Sequence, residues 1–451
     1  MSRMTKSWSG GSKTLWVGVF LSISLLTGAT FAADADTEQR LKQLEQQNLD
    51  LQKKLLEQQG LINDLAKKLS EVTGKMPAVL PPPDEPKKGI GFGQVRLSGE
   101  GGAGIFHTSS KGHYTHSDFR VDEAKLFVEA PLWENYVFAY AELDLLTRER
   151  QVTPPPADEN FHLGELYVDF EGVSRLWNQP GMLGLRVGRI DVPFGEEYIT
   201  RDVIDNPLIS HSLVDIWGID EGIEAYGKMN RFDYVVAVQN GGHGQLADFN
   251  GSKAVVGRLG YNPTKWLRLS GSGMTTGDID VANDHMAELW FGNGFAGFSP
   301  ALGPGAKTFQ ATLYEGDAQV FWKTGHVKGA GGWLGYSDDA PAPVQSKRDV
   351  YYYYLEGLQK LPQAPKFYGA VRWSQLFADN GFPIVGNGQF GPYFFNPALL
   401  TDRMWRISLG AGYQFSEHLN VKLEYSLDRR HVVAPRSEDT HLFAAEVAFS
   451  F

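Results

Sequence analysis

Cysteine is missing from the 451-residue chain. That excludes a disulfide framework, a thiolate metal site, a cysteine nucleophile and a cysteine-linked lipid anchor. Long apolar runs are missing too: no segment reaches the roughly 20 apolar residues that a membrane-crossing helix needs, which excludes a helical bundle. Basic residues are outnumbered, with 42 Lys+Arg against 53 Asp+Glu and a net charge of -11. A surface that displaces counterions from nucleic acid needs the opposite balance.

What is present begins with an address. Arg3, Lys6 and Lys13 precede the apolar stretch Leu15 to Leu26, and the small residues Thr30 and Ala32 follow it. A basic start, a short apolar segment and a small-x-small site predict a secretory signal peptide over 1–32. Residues 33–73 then carry Leu41, Leu44, Asn48, Leu51, Leu55, Gln58, Ile62, Leu65, Leu69 and Val72 at alternating steps of three and four. This is the seam of a left-handed coiled coil, in which Asn48 and Gln58 would fix register at some cost in stability. Gly74 and the proline-rich stretch after it predict a stiff linker over 74–89.

From residue 90 to 451 the period changes to two. In MWRISLGAGYQF, Trp405, Ile407, Leu409, Ala411, Tyr413 and Phe415 share one face, while Arg406, Ser408, Gly410 and Gln414 take the other. YVFAYAELDL and NVKLEYSLD alternate in the same way. About sixteen such segments occur. Tight connections (KMNR, YNPT, KTGH, LPQAP, FSEH) alternate with long ones, as in outer-membrane barrels with short periplasmic turns and long outer loops. The last segment, THLFAAEVAFSF, ends on Phe451, like the terminal aromatic of Gram-negative outer-membrane strands. The expected fold is therefore all-β: a transmembrane antiparallel β-barrel of about 16 strands, preceded by a short α-helical coiled coil.

The stretch LRVGRIDVPFGEEY, residues 185–198, resembles the G-x-x-x-x-P-F-G-x-E element of the phosphate-selective porin O and P family. DFRVDEAKLFVEAPL, residues 118–132, resembles an early strand of that family. The resemblance covers most of the chain from about Gly91. It implies a homotrimeric, water-filled diffusion channel in the outer membrane, with anions such as phosphate among its solutes.

Alternation places Arg96, Arg120, Lys125, Arg186, Arg258, Arg268, Arg372, Arg406 and Lys422 on the inner face, where charged rings set selectivity. Acids such as Glu100, Glu142, Asp144, Glu165 and Glu424 share that face, and Arg189 falls on the outer one unless a bulge intervenes. The third long connection, roughly Val192 to Gly218, is the expected constriction. It carries Glu196, Glu197, Arg201, Asp202, Asp205 and Asp215, and its acids are expected to face basic wall residues across an eyelet.

Other signals are weaker. Gly99, Gly101 and Gly104 spell a nucleotide fingerprint without the helix it needs. His107, His113 and His116 lie close together without a ligand set for a metal. Catalytic residues, metals and cofactors are not expected. The expected partners are outer-membrane lipid and small hydrophilic solutes, with cell-wall contact through a periplasmic N-terminal segment and no nucleic acid. Three rivals stay open: a general or cation-preferring pore, a barrel lipase, and a barrel tethered to the cell wall.

Overall fold

The computed structural model describes residues 90–92, 94–109, 116–133, 136–146, 161–241, 251–280, 290–291, 306–340, 347–382, 401–432 and 436–451. The signal, coiled-coil and linker expectations for 1–89 lie outside the described residues.

Sixteen antiparallel strands form one closed barrel. The first eight are β1 (Val95–Thr108), β2 (Asp118–Trp133), β3 (Val137–Leu146), β4 (His162–Phe170), β5 (Gly184–Asp191), β6 (Ile219–Met229), β7 (Phe232–Gln239) and β8 (Ala254–Thr264). The rest are β9 (Leu267–Thr275), β10 (Thr308–Trp322), β11 (Gly325–Asp338), β12 (Arg348–Leu361), β13 (Ala364–Phe382), β14 (Thr401–Ser416), β15 (Leu419–Val432) and β16 (Arg436–Ser450). Each strand pairs with its neighbour in sequence, and β16 pairs with β1 from Glu100↔Ser450 to Thr108↔Leu442. Phe451 seals the seam, exchanging backbone hydrogen bonds with Gly99 at 2.9 and 3.2 Å. Closure of this kind leaves no long unpaired edge.

Two-residue turns at 230–231, 265–266, 323–324, 362–363 and 417–418 all fall at one end of the barrel. Asn230 takes a left-handed φ of 57° in the first of these, a conformation that asparagine tolerates well. The longer connection 171–183, which contains a 3-10 helix at Val173–Trp177, lies at this end too, where the Lys228 N–H donates to the Gly181 carbonyl at 2.9 Å.

Strand alternation sorts the two faces. On β15, Leu419 and Leu423 are exposed on the outside, while Asn420, Lys422, Glu424, Ser426 and Asp428 are buried inside. Tyr351 and Tyr353 of β12 point out, and Tyr352 and Tyr354 point in. Arg189 has the parity of exposed Val187, and its strand pairs with β6 without a register shift, yet Arg189 itself is buried. It donates to Glu221 and to the carbonyl of Gly164, both at 2.9 Å.

The interior departs from a uniformly polar lumen. Phe309, Leu313, Leu334, Val350, Leu376 and Met404 of β10–β14 are buried on the inner face. Phe194, Ile209, Leu213 and Val214, from the segment between β5 and β6, are buried in the same cluster. These side chains form one hydrophobic cluster inside the barrel, which the inward loop completes, beside buried polar residues of the same strands such as Glu356, Arg372 and Arg406. Removing those side chains from water stabilises the loop's position by about 1.5–3 kcal/mol for each fully buried aliphatic or aromatic residue.

Candidate functional site: the inward loop and the wall it faces

The segment 192–218 is clamped where it begins, because the Val192 N–H donates to the Gly218 carbonyl at 2.7 Å. Its first turn is fixed to β8–β10. The Gly195 N–H donates to Ser272 Oγ at 3.0 Å. Glu196 takes two hydrogen bonds from Arg268, at 2.8 and 2.7 Å, and one from Gln319 at 3.3 Å. Arg268 also grips Asp233 at 2.7 and 2.9 Å. Arg258 donates to the Gly195 carbonyl at 2.8 Å, with its guanidinium 5.2 Å from the centre of the Tyr198 ring. Such two-pronged arginine–carboxylate pairs are among the stronger polar contacts a protein makes.

The middle of the loop is fixed to the opposite side. Lys422 donates to the carbonyls of Val203 and Leu208 at 2.5 and 3.2 Å and lies 3.1 Å from Glu446. Glu424 accepts the N–H groups of Ile209 and Ser210 at 2.5 and 2.8 Å, together with the Ser210 hydroxyl. Arg372 donates to the Ser210 carbonyl at 2.6 Å, to Asn206 at 3.0 Å and to Glu356 at 2.9 Å. Arg406 reaches the His211 carbonyl at 3.1 Å while holding Asp428 with two bonds of 2.6 Å. Ser374 accepts the Leu213 N–H at 3.0 Å.

Two glycines make room for this docking. A Cβ on Gly410 would stand 2.4 Å from Leu208 Cδ2, and one on Gly102 would stand 2.8 Å from Val203 Cγ2. Real carbon contacts do not come that close, so the loop lies in slots that only glycine leaves open.

The loop also binds itself. Arg201 donates to Asp215 at 2.8 Å and lies 4.4 Å from the centre of the Trp217 ring, and His211 Nδ1 is 3.1 Å from Asp215. Glu197 accepts the Ser212 N–H and hydroxyl at 2.8 and 2.5 Å. Burial, with Asp215 nearby, pushes the Glu197 carboxyl up to about 7. Burial works against the Asp215 charge as well, yet Arg201 and His211 hold its carboxyl well below the usual range.

The two shifts oppose each other as pH falls. A carboxyl whose pKa is raised on folding binds its proton first in the docked loop, so docking strengthens between about pH 7 and the ordinary value of 4.5. A carboxyl whose pKa is lowered does the reverse below 3.8. Hydrogen exchange of the Ser212 amide is therefore expected to be slower at pH 5 than at pH 7.5, after correction for intrinsic rates. Glu197→Gln should abolish the difference. Equal protection at both pH values in the unmodified chain would refute the assignment.

The structure brings most of the sequence-predicted residues together, but as pairs. Arg96, Lys125, Arg186, Arg258, Arg268, Arg372, Arg406 and Lys422 each have a carboxylate within 4.0 Å. Lys125 lies 3.2 Å from Glu123, 3.3 Å from Glu142 and 4.0 Å from Asp202 of the loop. Arg186 holds Asp169 at 2.9 Å and Glu224 at 3.2 Å. It also sits between the rings of Tyr167 and Tyr226, at 5.1 and 4.6 Å. Tyr140 stacks on Tyr167 at 4.9 Å and Phe127 on Tyr140 at 6.3 Å, so one stack of rings and guanidinium runs across β2–β6. Arg96 is largely exposed with Glu129, Arg120 stands opposite Gly104 on β1, and Asp205 is exposed at the loop tip. Glu196 is buried against Arg268 and does not face open space.

Sequence reading missed the apolar inner face and the two glycine slots. One signal for the first was present: PLISHSLVDIW carries Leu208, Ile209, Leu213, Val214, Ile216 and Trp217 within a connection, more apolar surface than a solvated loop would hold.

The fold is thus a closed sixteen-strand antiparallel barrel with a long connection folded inside it. No family model matches the chain, and no curated protein matches it. Solved structures do. The outer membrane channel DcaP of Acinetobacter baumannii aligns over 79% of this chain and 97% of its own length, with a TM-score of 0.51 and 12% identity. OmpT, an outer membrane protein of Vibrio cholerae, aligns over 79% and 97% with a TM-score of 0.51 and 10% identity. The trimer form of OmpT aligns over 79% and 99% with a TM-score of 0.50 and 8% identity. At these identities the likeness is one of fold.

Proposed function

We propose that the protein is a porin of the Gram-negative outer membrane, through which small hydrophilic solutes diffuse passively, without turnover or cofactor. The observation that carries this reading is the loop 192–218, held inside the barrel by bonds to β8–β10 on one side and β13–β15 on the other. A loop fixed so firmly narrows the lumen to a defined size, which a diffusion channel requires and an unspecialised barrel does not. The exposed apolar outer face, with Trp133, Trp266, Phe415 and Phe449 near strand ends, suits lipid and its interfaces. A homotrimer is the assembly we favour, as in the trimer form of OmpT. Residues 33–73 would then hang in the periplasm within reach of the cell wall.

Selectivity is read from the pairing. An anion track for phosphate needs basic groups whose charge is free, whereas at least eight of the nine predicted ones have carboxylate partners. The geometry therefore favours a general or cation-preferring pore over a phosphate-selective one. In a planar bilayer under a KCl gradient, the zero-current potential is expected to have the sign of a potassium-preferring pore, and phosphate should leave the current unchanged. A chloride-selective current blocked by phosphate would restore the preference implied by the family resemblance.

A further inference from the structure

We propose that the connection between β4 and β5 is a docking surface for the chain's own proline-rich segment, with Leu80 to Pro83 lying on Leu176 and Trp177 and with Asp84 and Glu85 meeting Arg175. The inference concerns the end of the barrel that carries the short turns. It does not depend on what passes through the lumen.

The connection is built to hold one shape. Ser174 is fully buried, and its hydroxyl accepts the N–H groups of Met182 and Leu183, both at 3.1 Å. Asn178 closes the 3-10 turn with a left-handed φ of 59°. From one side, the Lys228 N–H and the Tyr234 hydroxyl donate to the carbonyls of Gly181 and Met182, at 2.9 and 2.8 Å. From the other, the Tyr136 carbonyl accepts the Glu171 N–H at 3.0 Å, and the Arg175 guanidinium lies 4.4 Å from the centre of the Tyr136 ring.

What this frame presents is apolar. Leu176 is 87% exposed and Trp177 50% exposed, at consecutive positions of a segment that lies beyond both strand ends. The two-residue turns at the same end carry one large apolar side chain among them, Trp266. The hydrogen bonds that fix the connection use neither Leu176 nor Trp177, so both side chains are left for a partner. A surface held rigid in this way binds without a further ordering cost.

Sequence and reach name the occupant. Residues 79–86 read VLPPPDEP, a run whose extended left-handed form packs on aromatic side chains as proline-rich ligands do. Asp84 and Glu85 follow the prolines, and the cation of the connection is Arg175, which is exposed. The described chain begins at Ile90–Phe92, paired antiparallel with Val95–Leu97 at the start of β1, on the same rim as the connection. The seven to ten residues from Ile90 back to Pro83 and Leu80 span about 22–31 Å at roughly 3.1 Å per residue. The rim from β1 to β5 covers four strand spacings, roughly 20–25 Å. The prolines therefore reach Trp177, and so short a tether keeps their local concentration high.

The chain's lack of cysteine makes proximity directly readable. Full-length Leu80→Cys/Leu176→Cys, reconstituted in phospholipid vesicles, is oxidised with copper–phenanthroline and run on a denaturing gel. A reducible bond within one chain is expected, formed at least about five-fold faster than in Leu80→Cys/Lys323→Cys. Lys323 sits in a turn on the same rim, which an undocked segment would reach about as easily. Separately, trypsin cleavage after Lys88 is expected to quicken about five-fold in Trp177→Ala and to stay near the wild-type rate in Trp177→Phe, which keeps a ring. All variants are taken from protein with wild-type migration in unheated gels, so that misfolding is not read as undocking. Equal oxidation rates in the two pairs, or cleavage indifferent to Trp177→Ala, would overturn the docking. A bond formed only between chains would overturn it too, and would assign the surface to a second copy.

Discussion

Arg372→Met is expected to destabilise the protein by about 3–5 kcal/mol, because it leaves the buried carboxylate of Glu356 without its guanidinium. The same change withdraws the donors that the Ser210 carbonyl and Asn206 use, so the middle of the loop loses its tie to β13. His326, 3.0 Å from Glu356, is the polar partner left to that carboxylate. Methionine keeps much of the volume, so the loss reports charge and hydrogen bonding rather than a cavity. Denaturant unfolding in detergent micelles gives the magnitude. A midpoint within error of wild type would mean that the loop carries its own position without the wall.

The second large effect is expected at Glu424. This side chain accepts two successive loop N–H groups and the Ser210 hydroxyl. In Glu424→Gln, the amide oxygen keeps the two N–H groups, but the new NH2 faces the Ser210 and Ser426 hydroxyls, which must turn to accept it, and the charge that strengthens every one of these bonds is lost. Hydrogen bonds to a charged group are worth roughly 1.5–3 kcal/mol each, so a loss of about 2–4 kcal/mol in loop docking is predicted. The expected readout is single-channel current that is larger on average and visibly noisy, since an undocked loop moves in the passage. Quiet openings of wild-type size would show that the hydrophobic contacts of Leu208, Ile209 and Leu213 hold the loop unaided.

The two variants separate what sequence made legible from what it hid. The barrel was legible because lipid outside and water inside impose a period of two, and because two-residue turns punctuate it. Every strand begins within a few residues of where alternation and turns place it. The loop was legible as a length, since residues 192–218 are too many for a hairpin. Its destination was not. Period-two reading assigns Phe309, Ala311 and Leu313 to one face of β10, but Tyr314, Val320 and Trp322 on the other face are apolar as well. Nothing local says that the inward set meets another part of the chain. Pairing was hidden for a similar reason: Arg268 and Glu196 are 72 residues apart, and Arg372 and Ser210 are 162 apart. Inward arginines read one at a time look like a track for anions. Only the closed barrel shows that most of their charge is already matched.

The seam between the first strand and the last has a consequence for biogenesis. β1 meets β16 across more than 330 residues of intervening chain, as Thr108↔Leu442 shows. The partners of the loop middle, Arg372, Arg406, Lys422 and Glu424, lie on the strands made last. Contacts so distant along the chain are slow to form. Newly made protein therefore cannot seat its loop strand by strand as it emerges. The apolar side chains of the loop and the free edge of β1 stay open until the C-terminal third arrives, and an exposed edge of this length is an invitation to aggregate. Seating of the loop and zipping of the seam draw on the same late strands, so a cell that makes this protein has to shield nearly all of it until the final residues are available.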